Sequence, residues 1–385
     1  MIARNILETR FKEVFGKNPD LIVKSPGRIN IIGEHTDYNE GFVLPAAIDK
    51  AIYVAVGKRE DNLINLYAED FKAHYAIALK GIAPTELSWP NYILGVVQQI
   101  KDKELSLSGF DLYIDGDIPV GAGLSSSAAV ECATGYALNE LYGLSLHRVE
   151  IAKMGQLAEH TYAGVMCGIM DQFASVLSKA GHVIRLDCRD LSYTYVPLDL
   201  GDHELVLLNT NVKHALASSA YNDRRHACEH AVSLVQAKYP EVKSLRDVNL
   251  SQLDELVKPV SPAAYLKARF VLEENERLNK ACEALQTGDI TALGEQLFLA
   301  HEGLSKDYEV SCAELDYLVE QAKQFEQVKG ARMMGGGFGG CTINIVEKGF
   351  GNQLVDALSK GYRSRFDLEL TAIFVAIDNG TEVVY

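Results

Sequence analysis

No apolar run in the chain approaches the ~20 residues that a membrane-spanning helix needs. The charged, periodic opening "MIARNILETRFKEVFG" lacks the continuous apolar core of a secretory signal and predicts an amphipathic helix instead. Basic charge is scarce: 37 Lys and Arg stand against 52 Asp and Glu, a formal net charge of −15. A nucleic-acid binder would show a basic face or stripe, so that class is excluded. A locally positive pocket for an anionic ligand is not excluded. The seven cysteines include no C-x-x-C pair and follow no framework spacing, as free thiols in a reducing cytosol would. A cytoplasmic protein is expected, monomeric, with no membrane or nucleic-acid partner. No repeat, low-complexity tract or long Pro/Ser linker divides the chain.

The 385 residues are 48% hydrophobic and 23% charged, enough to bury a sizeable core in two domains. β-Branched and aromatic content predicts strands at residues 51–59 and 109–119. Residues 125–143 read as a helix with a serine start and a glycine stop, and 147–164 as another that ends at glycine. A turn cluster at 198–203 leads into the strand "ELVLLNT". Helical periodicity fills residues 263–322, and the apolar strands "CTINIV" and "TAIFVAID" follow. The expected fold class is α+β in two domains, residues 1–195 and 196–385.

Four stretches carry chemistry. "PGRINIIGEHTDYNEG" (26–41) sets Arg28, Glu34, His35 and Asp37 among turn-forming glycines. In "DIPVGAGLSSSAAVECA" (117–133) a strand ends, Gly121 and Gly123 open a turn, and three serines start a helix. Such a turn lets backbone approach a ligand, and the helix N-terminus then favours phosphate. It ends in no Gly-Lys-Ser/Thr and contains no Gly-x-Ser-x-Gly, so it is neither a Walker A loop nor a nucleophile elbow. In "GARMMGGGFGGCTINIV" (330–346) the glycines match G-x-G-x-x-G, but a strand follows where a dinucleotide site requires a helix. "AGVMCGIMDQFASVL" (163–177) places Asp171 in apolar surroundings, where a carboxylate needs a partner; Arg28 is the candidate. The pair His226 and His230, around Cys228, reads as a solvated helix face; the H-E-x-x-H glutamate is missing.

Together these stretches resemble the galactokinases, a branch of the kinase superfamily that also holds homoserine, mevalonate and phosphomevalonate kinases. "GRINIIGEHTDYNEGFVLP" is similar to the galactokinase signature, "GAGLSSSAA" to the superfamily's phosphate loop, and "GARMMGGGFGGCTI" to its C-terminal motif. "WPNYILGV", "CGIMDQF" and "NTNVKHALASSAYNDRR" add to the likeness, which spans residues 20–345. The chain departs from many members at Asn39-Glu40-Gly41, where they carry Asn-Gly; Glu40 is expected to face solvent.

The resemblance implies a GHMP-kinase-like architecture with its site between two domains, and transfer of phosphate from ATP, with magnesium, to the C1 hydroxyl of galactose. It implies Asp171 as proton acceptor and Arg28 as the cation that keeps Asp171 ionised. Glu34 and His35 would bond the C6 hydroxyl and Asp37 the C3 and C4 hydroxyls. Tyr221 and the Gly168 backbone would complete the sugar contacts. Gly121, Ala122, Gly123, Leu124, Ser125, Ser126 and Ser127 would cradle the phosphates, and Trp89 and Tyr92 the adenine. Ser127 and Glu159 would hold the magnesium. Two alternatives remain at this stage: a kinase of a related sugar such as N-acetylgalactosamine, and a non-catalytic galactose sensor. The uninterrupted serine loop, together with Arg28 and Asp171, speaks against the sensor.

Overall fold

The structure is a computed structural model, and the described residues are 2–119, 121–212 and 217–384. Val120 of the glycine-serine stretch and residues 213–216 of "NTNVKHALASSAYNDRR" lie outside them.

The opening amphipathic segment forms α1 (Arg4–Phe15), which buries Leu7 and Phe11 one turn apart and stops at a left-handed Gly16. The strands β1 (Leu21–Asn30), β2 (Phe42–Val43), β3 (Pro45–Lys58), β4 (Leu63–Ala68) and β5 (Ala73–Ala78) follow. Next come α2 (Ser88–Asp102), β6 (Phe110–Gly116), α3 (Ser126–Tyr142), α4 (Arg148–Ala158) and α5 (Met170–Leu177). The strands β7 (His182–Asp187), β8 (Tyr193–Pro197) and β9 (His203–Asn209) lead to a helical stretch. It comprises α6 (Ala217–Gln236), the single turn α7 (Leu250–Gln252), α8 (Pro262–Thr287), α9 (Ile290–Lys306) and α10 (Ala313–Ala322). The chain closes with β10 (Val328–Met333), β11 (Cys341–Glu347), α11 (Gly351–Phe366), β12 (Thr371–Val375) and β13 (Glu382–Val383). The strands expected at 51–59 and 109–119 are β3 and β6, and the helix expected at 125–143 is α3.

A six-stranded sheet runs in the order β13-β1-β3-β6-β4-β5, antiparallel except for β4 against β6. Its strands alternate as the period of two demands. On β3, Ala51, Tyr53 and Ala55 pack under α1, while Ile52, Val54 and Val56 join the main core. A four-stranded sheet, β10-β11-β9-β12, lies in the second half. Ile343 and Ile345 of β11 belong to the same apolar cluster as Ile29 and Ile31 of the first half, so the core is continuous between the sheets.

The chain returns to its start. β13 pairs with β1, and Thr381 just before it is fully buried. The Thr381 hydroxyl lies 2.8 Å from the Ser25 hydroxyl on β1 and donates to the Ser175 carbonyl of α5 at 2.8 Å. The tail thereby braces the strand and the helix that carry Arg28 and Asp171. All seven cysteines are free. Among the described residues no helix is long and apolar enough to cross a membrane.

Helix α9 approaches β10 most closely at a glycine pair, Gly294 and Gly330. A Cβ on Gly294 would meet the Lys329 carbonyl oxygen at 1.8 Å. Gly294→Ala should therefore lower the unfolding free energy by about 1–3 kcal/mol, the range for an overpacked core contact. A denaturant midpoint equal to that of the parent would show that the helix moves away freely.

Candidate active site

β1 carries a register irregularity between Pro26 and Arg28. Such an irregularity re-aims a side chain. Arg28, only 4% exposed, donates to both oxygens of Asp171, Nε to Oδ1 at 2.8 Å and Nη2 to Oδ2 at 3.0 Å. Its Nη1 donates to the Gly123 carbonyl at 2.6 Å. Burial works against the guanidinium charge, but Asp171 and Glu34 outweigh it and leave the pKa above its ordinary value. The partnership expected for Asp171 is therefore present, in the bidentate form that is strongest for a carboxylate.

The glycine-serine turn meets this pair. Gly121 and Gly123 take left-handed φ values of 77° and 72°. Ala122 and Leu124 between them bury their side chains, so only their backbone is available to a ligand. Ser125 is also left-handed, at φ 60°, and makes no side-chain cap on α3. The Ser125 hydroxyl donates to Asp171 and does not cap the helix start. The first N–H groups of α3 thus have neither an intrahelical acceptor nor the Ser125 hydroxyl.

On one side of the turn is a polar cavity of about 160 Å³ that brings together Arg28, Glu34, His35, Asp37, Asp171 and Tyr221. Glu34 is almost fully buried, and its Oε1 is already taken. It accepts from Arg332 Nη2 at 3.1 Å and from the Gly335 N–H at 2.8 Å. Arg332 has no exposure and also donates to the Ile31 and Met333 carbonyls. His35, at a left-handed φ of 61°, is held neutral: burial lowers its pKa to about 3. Asp37 is pushed up to about 7, first by burial and then by Asp171. Gly168 passes so close that a Cβ would sit 1.8 Å from Asp37 Oδ2, which is why only glycine fits there. Burial raises the Tyr221 phenol well above its usual range, so the hydroxyl keeps its proton.

On the other side is a more apolar cavity of about 170 Å³, lined by Trp89 and Tyr92 of α2, Ile118 and Val130, with Ser126 and Ser127 at its edge. Glu159 joins the two sides. It opens a π-helical turn, Glu159–Ala163, that continues α4 to Gly164, and it lines the polar cavity. The Ser127 hydroxyl donates to its Oε1 at 3.4 Å. Burial, then Asp171, raises Glu159 to about 7. Gln172 bridges it to a second acid, its Nε2 donating to Glu159 Oε2 at 3.0 Å and to Glu131 Oε2 at 2.9 Å. Glu131 has no exposure, and burial lifts its pKa well above the ordinary range.

No group of three or more His, Cys, Asp or Glu able to hold a metal occurs among the described residues. His226 and His230 are exposed, as expected, whereas Cys228 faces the core. Glu40 is partly exposed but pairs with Arg189 Nε at 3.1 Å. Sequence reasoning missed Arg332, Glu131 and Gln172. A lone arginine inside the apolar strand around "GARMM" was the signal for the first. A glutamate amid the alanines of α3 was the signal for the second.

An apolar cleft and a polar cavity, joined by an uncapped helix start, fit a small-molecule kinase. The chain matches three family models: "Galactokinase galactose-binding signature" at residues 9–58, "GHMP kinases N terminal domain" at 91–179 and "GHMP kinases C terminal" at 281–364. It is 41% identical over 386 aligned positions to a galactokinase of Chloroflexus aggregans, covering 100% of this chain and 99% of that one. A galactokinase of Thermotoga maritima is 41% identical over 361 positions, 94% of this chain and 99% of that one. The structure of Lactococcus lactis galactokinase complexed with galactose superposes with a TM-score of 0.94 at 35% identity, covering 98% and 99% of the two chains. The chain belongs to the galactokinase family and has the GHMP kinase fold. The likeness extends beyond residues 20–345, to nearly the full length.

The raised acids set a pH dependence. Asp37 moves from 3.8 to about 7 on folding, so the folded state favours its acid form. That contribution to stability is complete below pH 3.8 and is lost as pH rises through about 7. Glu159 acts in a similar window, from 4.5 to about 7. In the ligand-free protein, Asp37→Asn should flatten part of the fall in stability between these limits. A carboxyl NMR titration that placed Asp37 near 4 would contradict this.

Proposed function

We propose that the chain transfers the γ-phosphoryl of ATP to the anomeric hydroxyl of α-D-galactose, giving galactose 1-phosphate and ADP. The observation that carries the reading is the Arg28–Asp171–Ser125 knot, set where the polar cavity meets the helix start. Galactose occupies the polar cavity. Asp37 takes its C3 and C4 hydroxyls, with Tyr221 beside C4 and the Gly168 backbone along the ring. Glu34 offers its second oxygen and His35 its free nitrogen to the C6 hydroxyl. A missing sugar hydroxyl leaves a buried partner unpaired, at a cost of about 1–3 kcal/mol.

ATP lies across α3. Trp89 and Tyr92 hold the adenine, and the backbone from Gly121 to Leu124 and the Ser125–Ser127 amides receive the phosphates. Asp171 accepts the C1 hydroxyl proton while the C1 oxygen bonds to phosphorus and the bond to the β-phosphate oxygen breaks. Arg28 keeps Asp171 ionised and faces the transferred group.

Glu159 is buried near the Asp171 carboxylate and accepts from the Ser127 hydroxyl, a grouping that fits a cation site. Ser127 and Glu159 would hold magnesium there together with nucleotide phosphates, and the ion would supply charge neutralisation. A cytoplasmic, monomeric enzyme belongs to this reading.

A panel of monosaccharides incubated with ATP and magnesium tests it. Galactose should be the preferred acceptor, with the phosphate on C1. Preference for N-acetylgalactosamine, or phosphate on another carbon, would overturn it. Asp171→Asn should bind galactose about as well as the parent and lose at least ~10² in kcat, the scale of general-base catalysis. Near-parental turnover would remove Asp171 from the proton transfer.

A further inference from the structure

The polar cavity contains a ring nitrogen with no well-aligned hydrogen bond among the described residues, although the Gly336 backbone lies beside the ring. His35 Nε2 is buried without a hydrogen-bond partner among the described residues. The other ring nitrogen is engaged. His35 Nδ1 lies 2.8 Å from the Tyr38 hydroxyl, which lies 2.8 Å from the Tyr308 hydroxyl. Tyr308 in turn lies 3.4 Å from Cys228 Sγ. The four groups come from the turn after β1, the loop after α9 and the middle of α6. Tyr308 and Cys228 have no exposure, and the His35 and Tyr308 rings are 4.9 Å apart.

Each hydroxyl in such a chain has one proton to give, so all the protons point the same way. Pointing away from His35, they would put the ring proton on Nδ1 and leave Nε2 bare. The Cys228 S–H would then have to find another acceptor within its apolar cluster. Pointing toward His35, the thiol donates to Tyr308, Tyr308 to Tyr38 and Tyr38 to Nδ1, and Nε2 carries the ring proton. Every chain proton is used in this arrangement, as buried polar groups require.

The cavity's composition agrees. Glu34 and Asp171 accept hydrogen bonds there, the Arg28 donors are directed at Asp171 and Gly123, and the Tyr221 hydroxyl is a second side-chain donor. A hydroxyl that gives its proton to a carboxylate still has lone pairs to fill, and a ring N–H fills one. The neutral ring makes the choice of tautomer decisive.

We propose that Cys228 and Tyr308, acting through Tyr38, are positioning residues that hold His35 as its Nε2–H tautomer, a hydrogen-bond donor to a hydroxyl oxygen of the sugar. The proposal rests on the galactose reading of the cavity.

Long-range 1H–15N NMR on the ligand-free protein, labelled at histidine, reads the tautomer directly. The parent should show Nε2–H alone, and galactose should shift that signal. Tyr308→Phe keeps the ring and removes the link. It should give a mixture of tautomers and raise the galactose KM about fivefold, the scale of one neutral hydrogen bond. The ATP KM and kcat should stay within about twofold, since neither the nucleotide nor the reacting atoms touch the chain. Cys228→Ala should act in the same direction, and Cys228→Ser, which restores a donor, should return both readouts toward the parent. An Nδ1–H tautomer in the parent, or an unchanged tautomer in both Tyr308→Phe and Cys228→Ala, would overturn the proposal. If Tyr308→Phe does not fold, the alanine and serine variants at 228 decide the matter. A free tautomer equilibrium in a protein that binds galactose would overturn the chain alone. A fixed Nε2–H signal that ignores galactose would overturn the sugar reading of the cavity.

Discussion

One buried guanidinium holds together a site that its own acids would otherwise push apart. Arg28 is the cation in reach of Asp171, Glu34 and Asp37, and it stays charged against its burial because of them. Like charges at this spacing raise one another's pKa. Asp37 and Glu159 are already displaced to about 7, with burial the larger cause and Asp171 the next. Deeper in, Arg332 fixes one oxygen of Glu34, and Gln172 ties Glu159 to Glu131. Burial and neighbouring acids push Asp37, Glu159 and Glu131 toward neutrality around it.

The backbone supplies what side chains cannot. Ser125 turns its hydroxyl to Asp171 and leaves its helix uncapped. Gly168 runs its chain flush against Asp37. Both features give up local stability or freedom for a defined space, as functional sites commonly do.

Much of this was legible in the chain. Asp171 in apolar surroundings needed a cation, and Arg28 is its partner. The glycines at 335–340 were followed by a strand-like segment, and that segment is β11. Alternation and helical period located α1, β3, β6 and α3. Three kinds of feature were not legible. Gln172 meets Glu131 across 41 residues and Arg332 meets Glu34 across 298, so nothing local announces either contact. The serine start of α3 was legible, but the Asp171 acceptor that takes the Ser125 hydroxyl lies 46 residues on and was not. Tyr308, an aromatic neighbour of His35, comes from the loop after α9, in a stretch where helical periodicity signals packing alone.

The return of the C-terminal segment to the first sheet has a temporal consequence. The brace made by Thr381 and β13 on the elements bearing Arg28 and Asp171 is synthesised 356 residues after Ser25 and 206 after Ser175. Domains generally fold as units during synthesis, the N-terminal one first. Here β1 emerges with one side unpaired and stays so until β13 has been made. The strand and helix bearing Arg28 and Asp171 therefore gain this brace only after the second sheet has been synthesised.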